Sequence, residues 1–505
     1  MIGRAHSIAL AGLAGHVIDV EAHIAAGLPA FTLVGLPDAS VTESRERVRA
    51  AVTSSGLSWP QRRITVNLSP ASLPKTGSST DLAIAVAVMA AAGLVSPAGV
   101  EGAVHLGELG LDGRVRPVRG VLPAVAAAVS AGHAEVVVPA GNVDEAALVP
   151  GARVTGVATV GELAAAYGNT DVNPPAQEPV PHVIASPTQP LTVDMADVRG
   201  QGEARHALEV AAAGGHHLLM VGPPGTGKTM LAARLPGILP DLSREDAVAA
   251  TSVHSLAGTF EAQGGLLRRP PFEAPHHSAT AAAIVGGGSR MPQPGAISRA
   301  HGGVLFLDEA PEFPARLLQT LRQPLEEGEV VIHRAHGAAR YPARFQLVMA
   351  ANPCPCGRFV GTGTGCACPP LQRRRYFGKL SGPLLDRVDL HTEVRPVQRG
   401  MDQPGDSTAV VAARVKAARD RAATRLAPHG WSVNAQASGR WLREHTSRSA
   451  LALVMRALDR GIISARGMDR ALRVSWTLAD LEGEDAPTPA HVRAAMTLRA
   501  PARVG

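Results

Sequence analysis

An apolar stretch, Leu218-Leu219-Met220-Val221, runs without a break into Gly222-Pro223-Pro224-Gly225-Thr226-Gly227-Lys228-Thr229 and then into a helical pattern. No other feature of the chain restricts its fold as much, because a G-x-x-x-x-G-K-T loop binds phosphate only when it joins a buried strand to a helix. The glycines let backbone N–H groups turn inward around phosphates. Lys228 supplies a point charge to the outer phosphates, and the Thr229 hydroxyl can hold Mg2+. The helix N-terminus adds its partial positive charge. These residues therefore read as the phosphate loop of an α/β core, the plainer alternative being a Gly-rich turn with an incidental lysine.

Further along, Val304-Leu305-Phe306-Leu307 is a second buried-strand pattern, and it ends in Asp308-Glu309. With a phosphate loop upstream, Asp308 suits the Mg2+ shell beside Thr229. Glu309 suits the polarisation of an attacking water, since phosphoryl transfer depends mainly on positioning and charge stabilisation. An acidic cap on the next helix is the plainer reading of the same pair. A third strand pattern, FQLVMAANP, delivers Asn352 to the carboxyl edge of the sheet, where it could orient the same water. Taken alone, Asn352-Pro353 is a turn. Arg387, in SGPLLDRVD, is a candidate arginine finger reaching a neighbour's γ-phosphate, or else a surface ion-pair partner of Asp386 or Asp389. Arg466, in SARGMDRALR, is a candidate γ-phosphate sensor with Arg470 and Arg473 as rivals, a solvated helix face being the alternative.

The chain's 505 residues exceed one ordinary core, and domains of roughly 100 to 200 residues put the working number at three. With 45% hydrophobic and 18% charged residues it reads as globular, since disordered chains pair low hydrophobicity with high net charge. Aromatics at 3% argue against recognition by stacked bases, and a net charge of +6 is compatible with a nucleic-acid partner but modest over this length. The longest apolar run, Leu82 to Val95, falls short of the roughly 20 residues a membrane helix needs, so it reads as a buried helix. The first residues show no secretory pattern, and all four cysteines fall between Cys354 and Cys368, which is no disulfide framework. A cytoplasmic protein is the expectation. A proline-rich stretch at 169–191 reads as a linker. It separates an α/β region at 1–168 from a second one at 192–397, and residues 408–505 read as a small helical domain.

The phrases GPPGTGKT, VLFLDE, AANP and SGPLLDR, together with NLSPASLPKTGSSTDL, HLGELGLDGRVRP and APHHSATAAAIVGGG, resemble the magnesium-chelatase-like AAA+ ATPases, and specifically the ComM/YifB family, over nearly the whole chain. The resemblance implies a three-layer P-loop AAA+ core with a helical C-terminal lid, preceded by a Lon-protease-like α/β domain. It implies ATP and Mg2+ as cofactors, a homo-oligomeric ring of hexameric form, and action on single-stranded or branched DNA. Members studied as ComM are DNA motors that support branch migration during natural transformation. The resemblance also implies an insertion at about 275–295 and a hairpin with its turn at His336-Gly337, both facing a central pore. His333, Arg334, His336 and Arg340 of that hairpin could contact backbone phosphates without reading sequence; an ordinary solvated hairpin is the alternative.

The segment PKTGSST resembles the nucleophile region of Lon proteases, with Ser79 at the serine position. A serine needs a base, a lysine in Lon, and where that lysine is expected this chain has Leu122. Lys75 matches a different lysine of the motif. The implied domain is a non-proteolytic scaffold whose partner is open. Cys354-Pro-Cys356 and Cys366-Ala-Cys368 form two C-x-C pairs that suit tetrahedral Zn2+, although the spacing is tighter than a C-x2-C knuckle. Reduced thiols and an iron–sulfur or redox role are the alternatives. The helix carrying Arg414, Lys416, Arg419, Arg421 and Arg425 reads as a solvated face, with phosphate contact the second choice. Two rivals to a DNA motor stay open, a protein-remodelling or metal-chelatase ATPase and a nucleotide-regulated scaffold.

Overall fold

The computed structural model describes residues 2–35, 39–71, 73, 77–172, 193–288, 292–334, 337–359, 363, 365–380, 382–396 and 405–500. Lys75, His336 and most of the proline-rich stretch lie outside them. No helix of the described residues is long and apolar enough to cross a membrane.

The N-terminal region is built on a seven-stranded sheet in the order Ala30–Val34, Arg63–Ser69, Ala14–Ala25, Ile2–Ala11, Val104–His105, Glu135–Pro139, Arg153–Val157. The long hairpin of Ile2–Ala11 and Ala14–Ala25 is antiparallel, and the far strands run parallel. Burial alternates along Arg63–Ser69, as a strand with one covered face requires. The Ala-rich helix Asp81–Ala91 is buried at every residue, in keeping with the apolar run that predicts it. It lies so close to the sheet that a Cβ on Gly3 would stand 2.2 Å from the Ala87 carbonyl oxygen.

The second region holds a five-stranded parallel sheet in the order Phe272–Glu273, Val304–Leu307, Gln346–Ala351, Leu218–Val221, Leu390–Glu393. Its three inner strands are buried at every residue because helices cover both faces, which explains why they read as continuous apolar runs. Beyond the sheet, the insertion region forms a short helix, Ala281–Val285, and a small ladder of Gly286–Gly287 on Gln293–Pro294. The hairpin strands Glu329–Arg334 and Gly337–Pro342 pair down to Arg334 opposite Gly337. Gly337 is therefore a strand residue and not part of the turn, where the sequence reading put it with His336. Gly12 of the N-terminal hairpin abuts this one, since a Cβ there would meet the Arg340 carbonyl oxygen at 2.4 Å.

After Leu390–Glu393 the described chain is helical, with long segments at Thr408–Leu426, Arg448–Asp459, Ala465–Glu482 and Pro489–Arg499. Ser407, Ser447, Ser464 and Thr488 cap them by accepting backbone N–H bonds. Val411, Val415, Val474 and Leu478 join the same core as Leu208 and Leu218, so this region is anchored on the parallel sheet's own layer.

The basic helix corrects the sequence reading in part: Lys416 and Arg421 stay exposed as a solvated face requires, but Arg414, Arg419 and Arg425 are held by other helices. Arg414 pairs with Glu209 at 2.6 Å, Lys416 with Asp420 at 2.6 Å, and Arg419 donates to the Ala212 carbonyl at 2.8 Å. Arg421 donates to the Asp480 carbonyl, and Arg425 clasps the Asp480 carboxylate at 2.7 and 2.8 Å. All five cations hold partners within the chain, and burial brings Arg419 down to about 10. Periodicity alone could not show this, because most of those partners lie on other helices. Asp480 is buried and also accepts from Asn434 at 2.7 Å. We predict that Asp480→Ala costs about 3–5 kcal/mol, by leaving the Arg425 charge unpaired, and that Asp480→Asn costs less. Urea unfolding followed by the fluorescence of Trp441 and Trp476, which pack together in this region, measures both.

Candidate nucleotide site and cysteine cluster

The parallel register sets the site. Val221 pairs with Ala351 and Glu393, and Leu307 with Met349, so the residues that follow these strands emerge side by side at the carboxyl edge of the sheet. The phosphate loop leaves Val221 with Gly225 and Gly227 at φ +77° and +90°, backbone that other residues avoid. Gly222 has no room for a side chain, since a Cβ would stand 2.1 Å from the Val394 carbonyl oxygen. Gln201 fastens the loop to the last strand by donating to the Thr226 and Arg395 carbonyls at 3.4 and 2.7 Å.

Lys228 opens the short helix Lys228–Ala232 and is buried. Its ammonium donates to the Gly222 and Pro223 carbonyls at 2.7 and 2.8 Å and to Asn352 Oδ1 at 3.2 Å. Burial holds it below the ordinary lysine range, against the pull of Asp308 and Glu309. The Thr229 hydroxyl donates to Asp308 Oδ2 at 2.6 Å. Among the described residues Glu309 is the one non-glycine residue with positive φ, at +50°. Its N–H donates to Asp308 Oδ1 at 2.9 Å, and its carboxylate lies 3.4 Å from His277 Nδ1. One crevice thus collects an ammonium, a hydroxyl, two carboxylates and an amide. That set can bind polyphosphate, hold a hard cation through oxygen and orient a water.

Arg387 and Arg466 lie elsewhere. No hydrogen bond or ion pair among the described residues joins either to the crevice groups. Arg387 pairs with neither Asp386 nor Asp389. It is buried, donates to the Pro383 carbonyl at 2.5 Å and forms a close ion pair with Glu326. Burial, then the nearby cations Arg322, Arg466 and Arg470, keep it below the usual guanidinium range. Asp389 belongs instead to Arg470, at 2.5 Å, and to His216, at 3.4 Å. Arg473 donates to the Ala437 carbonyl. Of the three candidate sensors Arg466 is exposed at the start of its helix, while Arg470 and Arg473 are committed.

The sulfurs of Cys354, Cys356, Cys366 and Cys368 all lie within 4.8 Å of one another, directly after Asn352. In the N-terminal region, Ser79 is half-buried and Leu122 sits in the core at 1% exposure, its N–H bonded to Glu145. Among the described residues no titratable side chain is bonded to the Ser79 hydroxyl.

Sequence reasoning did not single out Gln201, His277 or Glu326. His277 carried a faint signal, as the second histidine after a strand of the same sheet. The others are ordinary residues made specific by packing.

Family models described as magnesium chelatase, subunit ChlI, as subunit ChlI of Mg-chelatase, and as the ChlI C-terminal region match residues 194–401, 20–142 and 405–499. The chain is 52% identical to an uncharacterized protein of Mycobacterium tuberculosis, over 99% of this chain and 98% of that protein. It is 41% identical to YifB of Escherichia coli, over 98% and 96% of the two chains. It is 40% identical to the competence protein ComM of Haemophilus influenzae, over 99% and 97%. A segment covering 28% of this chain is 30% identical to part of Lon protease 2 of Bacillus subtilis. With identity sustained from end to end and a phosphate loop on a five-stranded parallel sheet, the chain belongs to the ComM/YifB family of magnesium-chelatase-like AAA+ proteins.

Proposed function

We propose that this protein hydrolyses ATP with Mg2+ and works as a ring-forming motor on DNA. The observation that carries the proposal is the convergence of Lys228, Thr229, Asp308, Glu309 and Asn352 at one sheet edge. Lys228 would hold the outer phosphates, exchanging its bonds to the loop carbonyls for bonds to phosphate oxygens. Thr229 and Asp308 would hold Mg2+, which supplies charge neutralisation on the phosphates when bound. Glu309, held away from helical backbone geometry, would polarise water, and Asn352 would orient it. His277 would keep the Glu309 carboxylate turned aside until nucleotide arrives.

In this reading Arg387 closes the site of an adjacent subunit once phosphate replaces Glu326 as its partner, and Arg466 supports it from the helical region. The family relationship supports an oligomer, and the hexamer is part of this proposal. DNA as the substrate draws on the competence name of the Haemophilus relative and on the exposed hairpin residue Arg340, whose partner among the described residues is Glu329 in a surface pair. Such groups grip backbone phosphate without reading bases. The N-terminal region serves as a scaffold.

Three outcomes test the proposal. Lys228→Ala abolishes measurable ATP hydrolysis, and Glu309→Gln lowers kcat by roughly 10²–10³ while ATP still binds; steady-state phosphate release and fluorescent-nucleotide titration read the two. Single-stranded or branched DNA stimulates hydrolysis, and the stimulation fades as salt rises from about 50 to 200 mM. A rate indifferent to DNA, with Lys228-dependent hydrolysis intact, would transfer the assignment to a protein-remodelling or chelatase-type motor. Casein and peptide substrates remain uncleaved with or without ATP, and turnover that Ser79→Ala removes would show a working peptidase.

A further inference from the structure

We propose that Cys354, Cys356, Cys366 and Cys368 form a closed structural site for one tetrahedral zinc ion, and that this site braces the wall of the nucleotide crevice. The bracing half rests on the ATP reading given above; the metal half does not.

The sulfur framework matches the ion in size. Cys354 and Cys356 stand 3.3 Å apart, Cys356 and Cys366 3.7 Å, and Cys366 and Cys354 3.6 Å, with Cys368 inside the same 4.8 Å envelope. Four thiolates bonded at about 2.3 Å to a common centre would lie about 3.8 Å from one another. A cluster of two irons would have to stand between the two cysteine pairs and spread them further apart, so one ion is the better fit. Soft thiolates in a tetrahedral set select zinc over the hard, oxygen-seeking Mg2+.

The backbone also turns tightly around the four sulfurs. The Cys368 N–H donates to the Cys366 sulfur at 3.4 Å, a contact of the kind that orients a metal ligand and offsets negative charge on it. Both C-x-C pairs sit on turns. Gly357, at φ +73°, returns its N–H to the Cys354 carbonyl at 2.9 Å, and Cys366 donates to the Gly363 carbonyl at 3.0 Å.

The same segment adjoins the nucleotide crevice at two points. Asn352, bonded to Lys228, stands two residues before Cys354. Gly357 is pressed against the phosphate loop, where a Cβ would stand 2.5 Å from Pro224 Cδ. Past Cys368 the helix Pro370–Gly378 folds back. Its Arg373 donates to the Cys368 carbonyl at 3.2 Å and covers the Phe359 ring at 4.1 Å. A metal at the cysteines would close this loop covalently and hold Asn352 and Pro224 in place.

The test uses full-length protein purified without chelator. Elemental analysis should find about one zinc per chain, and cobalt exchanged for it should give the strong visible bands of a tetrahedral thiolate site. Cys366→Ser with Cys368→Ser should lose both signals, and Cys368→His, which keeps four ligands, should retain metal with shifted cobalt bands. Zinc stripped from the wild-type protein by a thiol-directed mercurial and a chelator should weaken fluorescent-ATP binding by roughly tenfold, reversibly on adding zinc back. Absence of zinc and of cobalt bands, four freely titrating thiols in the native protein, or iron–sulfur absorption would overturn the metal site and leave the ATP reading untouched. Bound zinc whose removal leaves ATP affinity unchanged would overturn the brace alone. Zinc-loaded protein that binds no ATP would also sink the brace, and with it the nucleotide site.

Discussion

Everything at the nucleotide crevice depends on the lateral pairing of Leu218–Val221, which hydrogen-bonds to Gln346–Ala351 on one side and to Leu390–Glu393 on the other. Because the strands are parallel and buried on both faces, each must end at the same edge of the layer before polar side chains can begin. Gly222, Asp308 and Asn352 are the first residues past three such ends. A shift of one residue in any strand would turn its buried side chains to the opposite face and move the polar residue that follows it out of line. The apolar core therefore positions the polar site.

Lys228 shows the cost of that placement. A buried ammonium is stable only if every proton finds an oxygen, and this one uses two loop carbonyls and Asn352. Phosphate oxygens offer the same contacts with full charge, so the loop as folded stores a set of exchangeable bonds. The Thr229 to Asp308 bond has the same character, since both groups prefer a hard cation to each other. Glu309 differs. Its positive φ costs of order 1–3 kcal/mol in a non-glycine residue, which surrounding structure must hold in place; the Asp308 carboxylate, His277 and the Glu312 N–H, which donates to the Glu309 carbonyl at 2.7 Å, contribute to holding it.

The parts of this arrangement that were legible in the sequence are those in which one contiguous stretch carries the whole physical requirement. The phosphate loop is such a stretch, with positive-φ glycines, strand and helix all adjacent, and so is the apolar helix Asp81–Ala91. Asp308 and Asn352 were legible because each directly ends a buried strand. Contacts between distant residues were not. Glu326 meets Arg387 across 61 positions, and Arg425 meets Asp480 across 55. Nothing in the local pattern of the basic helix separates a cation facing water from one clasped by a buried carboxylate. Gly337 was assigned to the hairpin turn and belongs to its strand, because a composition of His, Ala and Gly leaves the register to cross-strand pairing.

Those long-range contacts join the helical region to the segment that bears Arg387. Arg470 donates to the Arg387 carbonyl at 2.7 Å and to Asp389 at 2.5 Å, and Arg499 reaches the Val388 and Asp389 carbonyls at 3.3 Å. His216, just before the strand Leu218–Val221, lies 3.4 Å from the same Asp389 carboxylate and 2.8 Å from Thr477 of the helical region. The buried Asp389 is held well below the usual carboxylate range, in spite of its burial, by His216 and Arg470. It therefore stays charged and keeps both partners. Any rotation of the helices Ala465–Glu482 and Pro489–Arg499 against the sheet must drag the 387–389 backbone with it or break a buried ion pair, and breaking one costs several kcal/mol. Movement of the helical region and the position of Arg387 are thus mechanically one coordinate.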